Sequence, residues 1–221
     1  MHVIREAAAD PLVEFRRLNV QGTLSLDRQA AAAAVQRFVF VSSIKVNGEA
    51  TQLGCPFTAD DPHAPLDAYG VSKMEEEQGL REIVRQTGME VVIIRPPLVY
   101  GTGVEANFAA MMRWLKLGVP LALGAIHNQR SLVSLDSLVD LLMTCLTHPT
   151  AANQTFLVFD GEVVSSTELL RCMSQALGRS ARLIPVPASW LKLAAAIAGN
   201  QAMAQRLCES LQVDIEKPGT C

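Results

Sequence analysis

At 221 residues, 49% of them hydrophobic and 19% charged, the chain is apolar enough for a packed core and too apolar for disorder. Its formal net charge of -3 includes no basic block, so nothing favours nucleic acid as a partner. No run approaches the ~20 apolar residues of a membrane span, and the start MHVIREAAADP lacks the apolar core of a secretory signal, so a cytoplasmic protein is expected. Cys55, Cys145, Cys172, Cys208 and Cys221 are scattered and never spaced as C-x-x-C, which suits a reducing compartment and a role as small buried hydrophobes.

The elements follow in chain order. Residues 10–34 carry apolar side chains at spacings of three and four and predict a helix, weakened locally by Gly22. Phe38-Val39-Phe40-Val41 is apolar on both faces, as in a central parallel strand. Residues 47–67, rich in Gly, Pro and Asp, predict a long loop of the kind that usually serves function. A helix is expected over 69–87, stopped by Gly88, then a buried strand over 91–94, halted by Pro96-Pro97. Helices over 107–117 and 135–146 precede a strand over 155–159. Ser165-x-x-Glu168 predicts a capping box opening a helix over 169–177, and one Ala- and Leu-rich helix is expected over 189–207. Strands alternating with long helices indicate α/β with a parallel sheet.

Tyr69-Gly70-Val71-Ser72-Lys73 places a phenol and an ammonium four residues apart on one helical face. A nearby ammonium favours the phenolate, and such a tyrosine can exchange a proton with a hydroxyl while hydride moves at carbon. So short a motif also arises by chance. Val41-Ser42-Ser43, 26 residues before Tyr69, ends a buried strand, where open parallel sheets bind ligands. The bland alternative for those serines is a strand end or a capped turn.

Taken together these residues resemble the extended short-chain dehydrogenase/reductase family, in its nucleotide-sugar epimerase and dehydratase branch. Asn19-Val20-Gln21-Gly22-Thr23 is similar to that family's N-V-x-G-T helix, and Phe38 to Ser43 to its serine-bearing strand. Pro65-Leu66-Asp67-Ala68-Tyr69-Gly70-Val71-Ser72-Lys73 resembles P-x-x-x-Y-G-x-S-K, and Arg95-Pro96-Pro97-Leu98-Val99-Tyr100-Gly101 resembles R-x-x-x-V-Y-G. The resemblance implies a partial Rossmann-like, doubly wound parallel sheet over 1–104. It implies a small substrate-binding lobe over 105–221, with a strand near 155–159 returning to the sheet.

The resemblance further implies that Ser43, Tyr69 and Lys73 are catalytic. Ser42, Tyr69, Lys73 and Pro96 would touch the cofactor, NAD or NADP, with Lys73 depressing the tyrosine pKa. Ser43, Asn107 and Arg130 would hold the nucleotide sugar, Arg130 through its diphosphate, which suits a planar guanidinium. The implied reaction is 4-epimerisation of a UDP-hexose or UDP-N-acetylhexosamine, with a homodimer formed through helices around 10–34 and 69–87. Reduction or dehydration on the same scaffold is the alternative, although Ser43-Ile44-Lys45 lacks the acidic residues of a dehydratase. Lys45 could face the sugar.

Gly101-Thr102-Gly103-Val104-Glu105-Ala106 matches G-x-G-x-x-A, yet Pro-Pro-Leu-Val-Tyr separates it from the strand over 91–94 and no acid follows at 121–126, so it is read as a turn. His2, His63, His127 and His148 are isolated, and no metal site is expected. Met111, Met112 and Trp114 read as core, and Asp136 as a helix N-terminal acid. Residue 1 corresponds to the end of the family's fourth strand, so the glycine-rich phosphate turn is expected to be missing and NAD(H) to bind poorly. A catalytically inactive fragment is then the reading from outside the enzyme class.

Overall fold

β-branched and aromatic runs build the sheet, and helices cover it where the strands are apolar on both faces. The computed structural model describes residues 10–104 and 107–215, with Asn107 and Ala202 as backbone only. Helix α1 (Pro11–Phe15) passes through a π-turn (Arg16–Val20) into α2 (Gln21–Ala32). There follow β1 (Arg37–Val41), α3 (Ala68–Thr87), β2 (Glu90–Arg95), β3 (Leu98–Tyr100), α4 (Asn107–Leu117), β4 (Arg130–Ser134) and α5 (Leu135–Thr147). The chain continues with β5 (Thr155–Leu157), β6 (Val163–Val164), α6 (Ser166–Ala176), α7 (Ala188–Ile197) and α8 (Gln201–Cys208).

One sheet has the order β1-β2-β5 and is wholly parallel, with Phe38 opposite Val91, Val41 opposite Ile94, and Ile93 opposite Thr155. Alternation along β2 divides its side chains between two helical layers. Val91 and Ile93 pack with Phe40, Leu80, Leu24 and Val84 on the side of α2 and α3. Val92 and Ile94 pack with Val133, Leu138 and Cys145 on the side of α5. An α/β sheet covered on both faces explains why these strands read as continuous apolar runs. The strand expected to return near 155–159 pairs with β2 as β5.

A second sheet, β3-β4-β6, leads into the lobe and joins β3 to β4 in parallel and β4 to β6 antiparallel. There Met111 and Leu115 of α4 meet Leu123, Ile126, and Leu170 and Met173 of α6. The expected capping box is present: Ser165 Oγ accepts from Glu168 N while Glu168 accepts from Ser165 N. Residues 210–214 tie this lobe to the long loop, since Phe57 N donates to Gln212 O, Asp214 N to Phe57 O and Thr51 N to Ser210 O.

Several expectations require correction. The helix over 189–207 is two helices, α7 and α8, because Gly199 takes a left-handed φ of 72° that ends the first. The helix over 10–34 contains a π-turn. Strands β3, β4 and β6 were not foreseen, being two to five residues long. β3 also means that the Gly101 turn does follow a strand directly, so that part of the argument against a phosphate loop fails. Gly101 itself packs against α5, where a Cβ would stand 3.1 Å from Leu135 Cβ, while Gly103 faces open space. Glu105 and Ala106 lie outside the described residues. Cys145 is buried in the core as expected, whereas Cys55 and Cys172 are exposed.

Ile94→Ala, at the centre of the covered sheet, is expected to cost about 2–5 kcal/mol. Ser165→Ala should cost about 1 kcal/mol through loss of the cap. Urea unfolding followed by circular dichroism checks this order, and its reversal would mean that the sheet is not the principal core.

Candidate active site

The site assembles where β1 ends and α3 begins. Ser43 leaves the strand with an extended backbone and caps a short turn (Ile44–Val46), its Oγ accepting from Lys45 N at 3.3 Å. Ile44 N donates to Pro96 O at 3.1 Å, which sets the end of β2 against this turn. Asp67 caps α3, accepting from Gly70 N at 2.7 Å. A Cβ on Gly70 would lie 2.9 Å from Lys45 O, so only glycine lets the first turn of α3 close on the serine turn. Lys45 Nζ bridges Asp67 and Glu49, joining the same two segments from the side. Lys45 is therefore a clamp between these segments, which corrects the idea that it faces a sugar.

Lys73 reaches back to β1, donating to Val41 O at 3.3 Å, and its ammonium lies 4.5 Å above the Phe40 ring. Tyr69 meets Phe15 edge-on at 5.7 Å. Ser43, Tyr69, Lys73 and Pro96 thus gather at the carboxyl ends of β1 and β2. Asn19, on the π-turn, donates to Ser72 Oγ at 3.3 Å, and Ser72 donates to Tyr69 O at 2.8 Å. The N-V-x-G-T and Y-G-x-S-K segments are therefore parts of one hydrogen-bonded unit.

Beneath the site lies a network that the sequence reading missed. Arg95 and Glu77 are both 0% exposed, joined by Nε to Oε1 at 2.9 Å and Nη2 to Oε2 at 2.6 Å. Arg95 Nη1 donates to Asn47 Oδ1 at 3.0 Å, and Nη2 stands 2.7 Å from His63 Nε2. Burial, then the Arg95 charge, push the His63 pKa down, so the ring accepts from Arg95 as a neutral imidazole. Ser42 Oγ donates to Glu77 at 2.5 Å and the residue is buried. This corrects its reading as a cofactor contact through the side chain: the hydroxyl is turned inward and supports the strand end.

The expected effect of Lys73 on Tyr69 also requires correction. The phenol is held well above its ordinary value, first by burial and then by the carboxylates of Glu76 and Asp67. Lys73 donates to Glu76 Oε2 at 2.9 Å and lies 6.0 Å from the Tyr69 ring centre, so its charge is matched before it acts on the phenol. Glu76 is itself pushed upward, principally by burial.

The remaining expected residues belong to other elements, and Arg130 is tied to the head of α3 through Arg206, whose guanidinium stands 3.9 Å from Asp67. Arg130 opens β4 and donates from Nη1 to Arg206 O, and burial lowers its pKa. Asn107 opens α4, and its side chain lies outside the described residues. Asp136 sits in the first turn of α5, as expected. Tyr100, named in the sequence only as part of the V-Y-G segment, donates to Asp160 Oδ2 at 2.7 Å, and that bond, then burial, push its pKa up to about 12.

A parallel sheet covered by helices on both faces, with a Tyr-x-x-x-Lys pair and a serine at its carboxyl edge, defines an α/β protein of Rossmann-like fold. The family model described as "NAD dependent epimerase/dehydratase family" matches residues 4–158, and the chain belongs to that family. A UDP-glucose 4-epimerase of Vibrio cholerae is 50% identical over 215 residues, which are 97% of this chain and 66% of that protein. The UDP-glucuronic acid 4-epimerase of Bacillus cereus, solved with NAD, superposes with a TM-score of 0.75 at 17% identity, over 95% of this chain and 62% of its own. The dTDP-glucose 4,6-dehydratase DesIV of Streptomyces venezuelae gives 0.71 at 24% identity, over 97% and 62%. At these identities the two structures speak for the fold. The chain thus spans about two thirds of the length of its relatives.

Glu77→Ala leaves Arg95 buried without its partner and is expected to cost about 3–5 kcal/mol, much of which Arg95→Met in the same chain should restore. Urea unfolding of both variants measures this; a loss below about 1 kcal/mol in the single variant would rule out the pair as a central support.

The chain has two tyrosines, so tyrosinate absorbance at 295 nm reads both. Neither should ionise near its ordinary pH of about 10 while the chain is folded. An unfolded chain releases these protons near pH 10 and the folded one retains them, so stability should be intact below that pH and fall above it. Glu76→Gln should lower one of the two transitions, and an unchanged titration would exclude Glu76 as a determinant of the phenol.

Proposed function

We propose that the cluster around Tyr69 interconverts epimers at the 4-position of a UDP-hexose or UDP-N-acetylhexosamine, with NAD as its cofactor. The observation that carries this reading is the meeting of Ser43, Tyr69 and Lys73 at the carboxyl end of β1, in a chain half identical to a UDP-glucose 4-epimerase. The residues present suit the nicotinamide-ribose end of the cofactor. Lys73 spends two of its three donors on Val41 O and Glu76, and the third suits a ribose hydroxyl. Pro96 and Pro97 are buried just past β2, where Pro96 O accepts from Ile44 N, and supply a rigid wall. The 221 residues contain no G-x-x-G-x-x-G turn, so these residues alone offer the pyrophosphate no such seat.

When bound, NAD supplies reversible hydride acceptance at the sugar carbon. Ser43 donates to the reacting oxygen and polarises it. Tyr69 exchanges the hydroxyl proton with that oxygen, returning it once the carbon has inverted. A phenol held high in pKa keeps its proton well and yields it to a keto oxygen only when the acceptor is close and water is excluded. The Lys73–Glu76 pair governs the reverse step: as the ammonium turns from Glu76 toward a ligand, its charge becomes available to the phenolate. Arg130, at the start of β4, is the candidate for the sugar's diphosphate, and Asn107 for the adjoining oxygens at the start of α4.

Exchange between UDP-glucose and UDP-galactose, followed by NMR with NAD supplied, is expected to slow by about 10²–10⁴-fold in Tyr69→Phe. Equal turnover in the variant would exclude the role. Net consumption of NADH would indicate reduction instead. Reduced nicotinamide mononucleotide should bind about as well as NADH, both weakly, and Lys73→Ala should weaken both. NADH bound far more tightly than the mononucleotide would mean that the chain does seat the pyrophosphate.

A further inference from the structure

Helix α7 is apolar on two opposite faces. Its inner face, Ala188 and Leu191, packs on the lobe core with Leu170 and Met173. Its outer face presents Trp190, Leu193 and Ile197, spaced as one helical stripe and exposed at 73%, 65% and 82%. Ile184, just before the helix, and Met203 of α8 are exposed as well. An ordinary surface helix turns charged residues outward, and Lys192 is the one charged residue of α7. A tryptophan, a leucine and an isoleucine side by side in water call for a cover.

The charge around the stripe identifies that cover. Over residues 169–205 the chain carries Arg171, Arg179, Arg182 and Lys192 and no acidic residue, within a protein whose net charge is -3; Arg206 is turned away, its guanidinium 3.9 Å from Asp67. Lys192 pairs with Glu209 at 3.2 Å, just outside that stretch. Arg179 donates to Lys116 O at 2.6 Å, which brings the basic end of α4 and the exposed Leu117 to the same side of the lobe. A second copy joined about a twofold axis would set like charges against each other. An anionic bilayer complements both features, with cations at the headgroups and the apolar stripe at the acyl boundary. A ten-residue helix is about 15 Å long, far too short to span a bilayer but suited to lying in its surface, with tryptophan at headgroup level.

We propose that the α7 face docks this lobe on an anionic membrane surface, through Trp190, Leu193 and Ile197 set among the surrounding basic residues. Docking is independent of the proposed reaction, and its test uses no turnover.

The full 221-residue chain is floated with vesicles of phosphatidylcholine alone or containing about a third phosphatidylglycerol. It should float with the anionic vesicles, remain behind with the neutral ones, and be released by high salt. Leu193→Glu with Ile197→Glu, both on the exposed stripe and checked for folding by circular dichroism, should bind at least about tenfold more weakly. Trp190 emission should shift to the blue on binding, and the shift should disappear in Trp190→Phe. The proposal is overturned if the wild-type chain ignores anionic vesicles, or if the double variant floats equally well. It is also overturned if the wild-type chain is a dimer that the double variant breaks and neither binds vesicles, which would assign the stripe to self-association.

Discussion

Arg95 and Glu77 carry opposite charges with neither side chain exposed to solvent, and the surrounding structure is arranged to keep them together. Each belongs to an element that must be positioned for the site: Arg95 ends β2 and Glu77 lies on the inner face of α3. Their two hydrogen bonds fix the helix against the sheet at one registration. The donors left over on the guanidinium hold Asn47 and His63 of the long loop, and the spare acceptor capacity of the carboxylate holds Ser42. Hydrophobic packing on either side of β2 could tolerate small slips. A buried ion pair with all its partners specified cannot, because a slip exposes a charge to an apolar interior.

Above that fixed base, the chemistry of Tyr69 is a balance among neighbours. Burial and two carboxylates hold the proton on the phenol, and the Lys73 ammonium is already shared with Glu76. Glu76 is an uneasy partner, since it is buried and its second oxygen has no hydrogen bond among the described residues. An unsatisfied buried carboxylate oxygen raises the free energy of this arrangement relative to one in which the lysine is drawn elsewhere. The pair is therefore poised to give way.

Much of this was legible in the sequence where the information is local. Tyr69 and Lys73 share a helical face by spacing alone, β1 and β2 announce themselves by apolar runs, and Ser165 with Glu168 states its cap outright. The failures came where partners are distant in sequence or the signal is short. Glu77 and Arg95 are 18 residues apart on different elements, and nothing in their spacing says that they meet. Ser42 and Ser43 look interchangeable as letters, and only the strand's alternation sends one inward and the other toward the site. β3, β4 and β6 are too brief for periodicity to show. The charge state of Tyr69 was misjudged for a subtler reason: Glu76, three residues after Lys73, stood in plain view, but the cost of its burial did not.

The short stretch at 210–214 has a consequence for how the molecule comes into being. Its backbone joins residues near Thr51 and Phe57 to those near Gln129 and Ser131, and the contact of Gln212 with Thr51 spans 161 positions. Contacts of such separation form late, because so much chain must be ordered first. On a ribosome the serine turn and the head of α3 emerge well before this stretch, and their loop waits unsecured until a segment 161 positions downstream of Thr51 has followed. The reactive corner is thus completed by a segment made long after the residues that react.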